Sequence, residues 1–145
     1  MNILKILTSK RRLGNFGERM AARYMRRKGY RILERNYVEK WGEIDIIARK
    51  KNALCFVEVK TRSVDSQSLY ETRPAASVNA EKQRRLIRVA NEYVRRVHKK
   101  NGYTMRMDII EIFSEKNKKK KNKVRKVVHI ENAFDMNTAY KMHRT

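Results

Sequence analysis

Two apolar segments, Glu43-Ile-Asp-Ile-Ile-Ala48 and Ala53-Leu-Cys-Phe-Val-Glu-Val-Lys60, are separated only by Arg49-Lys-Lys-Asn52. Both segments are rich in β-branched and other apolar residues, and the polar tetrapeptide between them is short enough for a tight connection. This pattern predicts two strands joined as a β-hairpin. Because the strands are almost continuously apolar, we expect them to be well buried.

On either side of this hairpin, the spacing of apolar residues predicts two helices and three further strands. Phe16, Met20 and Tyr24 recur every four residues, which predicts a first helix from Gly14 to Gly29. A second apolar stripe predicts a helix over about residues 79–100. Strands are predicted at 30–38, 103–113 and 124–130, and residues 61–76 form a long connection. The expected element order is α-β-β-β-α-β-β in one mixed α/β domain.

A basic run, Glu115-Lys-Asn-Lys-Lys-Lys-Lys-Asn-Lys123, lies between the last two predicted strands. Such a run cannot bury itself, so we expect a solvated, mobile insert within the single domain. Two interpretations stay open: the run grips phosphate backbones, or it is only a disordered hairpin tip.

The chain carries 37 lysines and arginines against 15 acidic residues, which gives a net charge of +22. An excess of this size indicates an anionic partner, because basic side chains that meet phosphates release condensed counterions. Nucleic acid is favoured over an anionic membrane surface, since no apolar run approaches the ~20 residues of a spanning helix. The candidate nucleic-acid-binding residues are Lys82, Arg84, Arg85 and Arg88 of the second helix, and Lys119 and Lys120 of the basic run.

Cys55 and Trp41 each allow a structural and a functional interpretation. Cys55 is the only cysteine, so an intrachain disulfide cannot form and we expect a reducing, cytoplasmic setting. We interpret Cys55 as a small hydrophobe in a strand rather than as a catalytic thiol. Trp41, in the predicted turn before Gly42, either stacks on a nucleobase or packs within the turn.

The hairpin carries the residues best suited to chemistry. Side chains alternate across a strand, so Glu58 and Lys60 share one face, while Glu43 and Asp45 share a face opposite Ile44 and Ile46. If the two polar faces meet, Asp45, Glu58 and Lys60 converge, and charges on buried strands are costly unless they are paired or bind a metal. The alternative is an ordinary edge hairpin with surface salt bridges.

Converging carboxylates suit a hard divalent cation such as Mg²⁺ or Mn²⁺, because these ions favour oxygen ligands. A bound cation of this kind activates water and offsets the charge of a phosphate under attack. A neighbouring lysine positions or deprotonates the water, or stabilises charge in the transition state. Asp45, Glu58 and Lys60 thus contain the parts of a metal-assisted phosphodiester hydrolysis site.

The pair Glu43-Ile-Asp45 and Val57-Glu-Val-Lys60 resembles the PD-(D/E)-X-K nuclease motif, although Ile44 stands before Asp45 where the motif has proline. More of the chain, from about Gly14 to Phe134, resembles the bacterial YraN family, which is grouped with archaeal Holliday-junction resolvases and predicted endonucleases. The segments that carry this resemblance are Gly17-Glu-Arg19, Gly42-Glu-Ile-Asp-Ile-Ile-Ala48, Phe56-Val-Glu-Val-Lys-Thr-Arg62, Arg106-Met-Asp108 and His129-Ile-Glu-Asn-Ala-Phe134.

The resemblance implies a restriction-endonuclease-like αβββαβ core, a mixed central sheet flanked by helices. It implies that Asp45 and Glu58 bind the metal and that Lys60 is the catalytic lysine. Glu18 would be an additional catalytic acid from the first helix; its alternative is an exposed acid favoured by the helix dipole. Glu43 and Gln83 would contact the catalytic residues without binding the metal themselves. The alternative for Glu43 is a surface acid beside the turn. Resolvase-like enzymes often dimerise, so a homodimer is expected by analogy.

Two functions therefore remain in view. The first is a Mg²⁺-dependent endonuclease acting on DNA, with branched or distorted DNA favoured by analogy. The second is a nucleic-acid-binding module without turnover, which binds DNA or RNA. Converging acids in a chain of charge +22 favour the nuclease, because a module that only binds nucleic acid has no need of them.

Overall fold

The structure is a computed structural model and describes residues 2–63, 78–98 and 102–135. The predicted order α-β-β-β-α-β-β is confirmed. The elements are α1 (Ile3–Arg27), β1 (Arg31–Glu39), β2 (Gly42–Lys50), β3 (Ala53–Ser63), α2 (Ala80–Tyr93), β4 (Thr104–Lys116) and β5 (Asn122–Phe134), and a π-helical turn (Val94–His98) extends α2. The predicted long connection of residues 61–76 begins inside β3, and its part from residue 64 onward lies outside the described residues.

The five strands form one mixed sheet in the order β1-β2-β3-β4-β5. β3 pairs in parallel with β4, and the other neighbours are antiparallel, including the predicted hairpin of β2 and β3. Parallel neighbours need a crossover rather than a tight turn, and α2 lies within that crossover. The α/β class follows from this arrangement.

The helices cover opposite faces of the sheet, which explains why the central strands are apolar on both sides. α1 packs on one face through Phe16, Ala21, Ala22 and Met25, against Ile46, Ala48, Cys55, Val57, Val59, Ile110 and Ile112. α2 packs on the other through Leu86, Ile87, Val89, Ala90 and Tyr93, against Ile44, Ile47, Leu54, Phe56, Met107 and Ile109. Cys55 is fully buried, and burial raises the pKa of its thiol to about 12, as expected of a strand hydrophobe.

The first helix is longer than predicted. It ends as expected before Gly29, whose φ of 91° suits glycine, but it begins eleven residues before Gly14. The Asn2 side chain accepts a hydrogen bond from the Leu4 amide (3.1 Å) and caps this start. Ile3, Leu4 and Leu7 stay exposed, so the first turns lack the buried stripe that marks a helix in a sequence. Among the described residues, no helix has the length and apolar character needed to cross a membrane.

The basic run forms a paired hairpin instead of the predicted insert over 115–123. β4 and β5 stay paired out to Lys116 and Asn122, across a register shift between Phe113 and Ser114, so only a short turn remains. The Asn117 side chain closes that turn by accepting from the Lys119 amide (2.9 Å) and the Lys121 amide (3.0 Å). The lysine side chains of the run are exposed.

Candidate active site

Asp45 lies where β2 separates from β3. The register of the two strands runs from Lys50↔Ala53 to Ile46↔Val57, and beyond it the Val59 amide donates to Asp45 Oδ2 at 2.8 Å. A side chain thus takes the place of a backbone acceptor at the point of separation. The opening exposes Asp45 and the neighbouring Glu58 to the same cavity.

This cavity has a volume of about 270 Å³ and combines three acids of the hairpin with cations from α2. It is lined by Trp41, Gly42, Glu43, Asp45, Glu58, Lys82, Arg85 and Leu86. The hairpin therefore supplies the carboxylates, the turn between β1 and β2 supplies an aromatic ring, and α2 supplies the positive charge.

Glu58 is nearly buried and is paired with two lysines. Lys82 Nζ donates to Glu58 Oε1 at 2.7 Å, and Lys60 Nζ lies 3.5 Å from the same oxygen. The structure thus brings Lys60 beside Glu58, as the alternation along β3 predicts. Lys82 is predicted to contact nucleic acid, but in the structure its amine is bonded to the carboxylate of Glu58.

The electrostatics of Asp45 reflect crowding of negative charge. Burial raises the pKa of Asp45 to about 7, with help from the carboxylates of Glu58, Glu18 and Glu43 and against the hydrogen bond from the Val59 amide. Burial disfavours the charge of Lys82, but its bond to Glu58 and the field of Asp45 together raise the pKa of its amine. The amine of Lys82 therefore keeps its positive charge beside these carboxylates.

Glu18 is brought towards the same acids by close packing of α1 on β3. A Cβ atom at Gly17 would overlap the Thr61 side chain, so only glycine allows this approach. Burial and the charge of Glu43 raise the pKa of Glu18, and Glu58 adds to the effect, while Arg35 and Asn36 oppose it. Glu18 does not line the cavity, so it lies at the edge of the acid cluster.

Asn36 was missed by sequence reasoning, yet it joins two of these acids. With its NH₂ group turned towards them, the Asn36 amide donates to Glu18 Oε2 (2.9 Å) and Glu43 Oε1 (3.2 Å). The residue has a φ of 51°, a left-handed conformation that asparagine tolerates better than most residues. An asparagine inside a predicted strand was the available signal.

The acids do not follow the simple alternation expected for β2. Ile44 packs in the α2-side core and Ile46 in the α1-side core, so the prediction that both lie on one face is wrong. The register with β1 passes from Arg35↔Ile46 to Tyr37↔Ile44, which brackets both Asn36 and Asp45. At this level Asn36 has a left-handed φ, and Ile44 and Ile46, on either side of Asp45, face opposite sides of the sheet.

The remaining predicted residues are spread around the site. Gln83 Nε2 donates to the Val78 carbonyl (2.9 Å) at the start of α2, and Gln83 does not line the cavity. The guanidinium of Arg88 stacks on Trp41, with 3.3 Å between its carbon and the ring centroid. Arg84 is exposed on α2, and Lys119 and Lys120 are exposed at the β4–β5 turn.

The donor set fits Mg²⁺ or Mn²⁺. Asp45 and Glu58 offer carboxylate oxygens to one cavity, and Mg²⁺ is typically held by one or two carboxylates while it keeps several waters. Within the described ranges, no group of three or more histidine, cysteine or acidic side chains is arranged to hold a metal.

A second ionic network ties β4 and β5 to α1, away from these acids. Asp108 is fully buried and accepts from Arg106 Nε (2.9 Å), Arg106 Nη2 (2.8 Å) and the Asn132 amide (3.0 Å). His129 Nε2 lies 2.8 Å from Asp108 Oδ2, and its Nδ1 lies 3.2 Å from the Tyr24 hydroxyl. Burial opposes the charge of Asp108, but these partners outweigh it and lower its pKa.

Comparison with known proteins gives one consistent family. Residues 17–112 match the family described as "Uncharacterised protein family UPF0102". The chain is 44% identical over 122 residues to a UPF0102 protein of Alkaliphilus metalliredigens, and the aligned region covers 84% of this chain and 96% of the relative. It is 41% identical over 126 residues to a UPF0102 protein of Caldanaerobacter subterraneus, covering 87% and 97%. A relative in Caldicellulosiruptor saccharolyticus is 42% identical over 126 residues, covering 87% and 99%.

Proposed function

The chain belongs to the UPF0102 family, and from the chemistry of its site we propose that it is a Mg²⁺-dependent endonuclease that hydrolyses phosphodiester bonds in DNA. We further propose that its mixed sheet and two helices are a restriction-endonuclease-like core. The αβββαβ order and the hairpin that carries the acids support this assignment. The resemblance of the hairpin to the PD-(D/E)-X-K motif points the same way.

The observation that carries the proposal is the pair Asp45 and Glu58 in one cavity. Burial and the surrounding acids raise the pKa of Asp45 to about 7. Crowded carboxylates of this kind destabilise a protein unless a cation is bound between them or they are protonated. Perturbed acids in a cleft are a frequent mark of a functional site.

Each residue of the site would have its own role in hydrolysis. When bound, the cation supplies an activated water and offsets phosphate charge. Asp45 and Glu58 would hold it, and the amine of Lys60, 3.5 Å from Glu58 Oε1, would orient the attacking water or stabilise the developing charge. Arg85 lines the same cavity and would bind a phosphate oxygen. Glu18 would take up a proton at the edge of the cluster.

A binding module without turnover is the second candidate, and the lysines favour it. Glu58 is already paired with Lys82 and Lys60, so the site balances part of its charge without any metal. In that case the net charge of +22 would act on nucleic acid simply as an electrostatic surface. The two candidates agree on the ligand class and differ in whether a bond is broken.

Incubation with branched, duplex and single-stranded DNA, and with RNA, separates the candidates. We expect the wild type to cut DNA, branched forms best, with Mg²⁺ or Mn²⁺ and not in EDTA. Asp45→Asn and Lys60→Ala should lose cleavage yet keep binding in EDTA. Glu115→Gln, which changes the same charge far from the cavity, is the matched control for Asp45→Asn and should cut normally. If the wild type cuts no substrate, the binding module replaces the nuclease.

A further inference from the structure

Trp41 stands at the cavity that holds Asp45 and Glu58, although neither metal binding nor hydrolysis needs an indole. It is the only tryptophan of the chain and occupies the turn between β1 and β2. Its ring is half-buried, packs against the α2-side core and lines the cavity together with both acids. The ring therefore lies in the same cavity as the two acids that would hold the metal.

Among the described residues, two cationic side chains lie over this ring. The Arg88 guanidinium stacks on it, and Lys40 Nζ lies 5.0 Å from its centroid. Both side chains are long and exposed. A flat guanidinium on an indole occupies the position that a flat nucleobase takes on the stacking platforms of proteins that bind single strands.

We propose that Trp41 is a stacking platform for an unpaired nucleobase, which displaces the Arg88 guanidinium from the ring. The displaced Arg88, with Arg85 beside it, then contacts the phosphate backbone. The substrate class is thereby narrowed to nucleic acid with a single-stranded segment at the site, because a paired base inside a duplex does not expose its ring face. This inference rests on the proposed function for its ligand class, but not on turnover.

The fluorescence of Trp41 tests the proposal without any variant, since no other tryptophan contributes. In EDTA, oligo(dT) should quench the emission on binding, because a base in contact with the indole opens a quenching path. Blunt duplex DNA of equal length and heparin, a polyanion without bases, should bind with little quenching. Equal quenching by heparin, or none by oligo(dT) at saturation, overturns the stacking assignment.

Variants separate stacking from charge. By anisotropy of a labelled oligonucleotide, Trp41→Leu should lose roughly ten-fold in affinity for single strands and less than about two-fold for duplex, as expected for one stacked base. Trp41→Phe should recover part of the loss. Arg88→Gln should weaken binding and its salt dependence while keeping the quenching, because the indole is then uncovered. Arg95→Ala, which removes an arginine paired with Glu92 on the same helix, is the control for lost charge.

These readouts fail separately from the proposed function. Quenching by single strands without cleavage of any substrate refutes the nuclease and leaves the platform in a binding module. Metal-dependent cleavage without quenching refutes the platform and leaves the nuclease. An equal loss of affinity for single strands and duplex in Trp41→Leu refutes base stacking, because it indicates a structural role for the ring.

Discussion

Replacing Asp45 by asparagine should stabilise the metal-free protein. The pKa of Asp45 is raised from 3.8 to about 7 by burial and by Glu58, so the folded state binds more protons than the unfolded state between these two values. Stability should therefore fall as the pH rises through that window. At about 1.4 kcal/mol for each pH unit, the ionised carboxylate costs about 4 kcal/mol above pH 7. Asparagine can still accept the hydrogen bond from the Val59 amide and carries no charge.

Thermal unfolding in EDTA, followed by circular dichroism between pH 5 and pH 8, measures this effect. For a domain of this size about 4 kcal/mol corresponds to a rise in Tm on the order of 10 °C. The advantage of Asp45→Asn should be largest at pH 8 and fall to less than about half of that value at pH 5, where the wild-type carboxyl is mostly protonated.

Glu115→Gln controls for the change in net charge, since Glu115 is a surface partner of Arg125 at 3.4 Å. It should shift Tm by little at any pH. The reasoning is refuted if Asp45→Asn melts at or below the wild-type temperature at pH 8, or if its advantage does not change with pH.

Three further predictions concern other parts of the fold. Gly17→Ala should destabilise the protein by about 1–3 kcal/mol in urea unfolding, because the new methyl group meets Thr61, and Thr61→Ala should restore part of the loss; an unchanged midpoint would disprove the close approach of α1. Asp108→Asn should cost about 3–5 kcal/mol by the same measurement, because it removes the buried carboxylate that is paired with Arg106 and His129. The pKa of Asp108 is lowered in the folded state, so the stabilisation by its carboxylate is fully present above pH 3.8, the ordinary pKa, and is lost as the pH falls through the lowered pKa. An Asp108→Asn variant that is as stable as the wild type at pH 7 would contradict the ionic network. Replacing Lys119 and Lys120 by Gln should reduce the slope of log affinity against log salt by about two if the β4–β5 turn grips phosphates, and an unchanged slope shows that the turn is only solvated.

Local patterns predicted the parts of the fold that local physics determines. The runs of apolar residues gave the strand pair, and Gly29 gave the end of α1, because these depend on neighbours in sequence. The early start of α1 was not visible, since Ile3 and Leu4 are exposed and form no buried stripe. The composition of the basic run predicts a solvated insert and does not reveal that the pairing of β4 and β5 continues beyond Phe113.

The sequence pattern predicts which acids lie in the candidate site, but it does not predict which side chains pair with them. Alternation placed Glu58 and Lys60 together, and the structure has them 3.5 Å apart. The reach of Lys82 to Glu58 depends on how α2 crosses the sheet, which no local pattern encodes. Asn36 joins the acids through an irregular backbone conformation, and Asp108 joins β4, β5 and α1 through contacts between residues distant in sequence.

We propose that Asp45 and Glu58 hold one divalent cation. Titration of the protein with Mn²⁺, with the free ion followed by its paramagnetic resonance signal, measures this directly. We expect one bound ion for each wild-type chain, loss of binding in Asp45→Asn and Glu58→Gln, and retention in Lys60→Ala, because the lysine would act on water or phosphate rather than on the ion. Equal binding by wild type and Asp45→Asn, or no binding by wild type, would contradict the account.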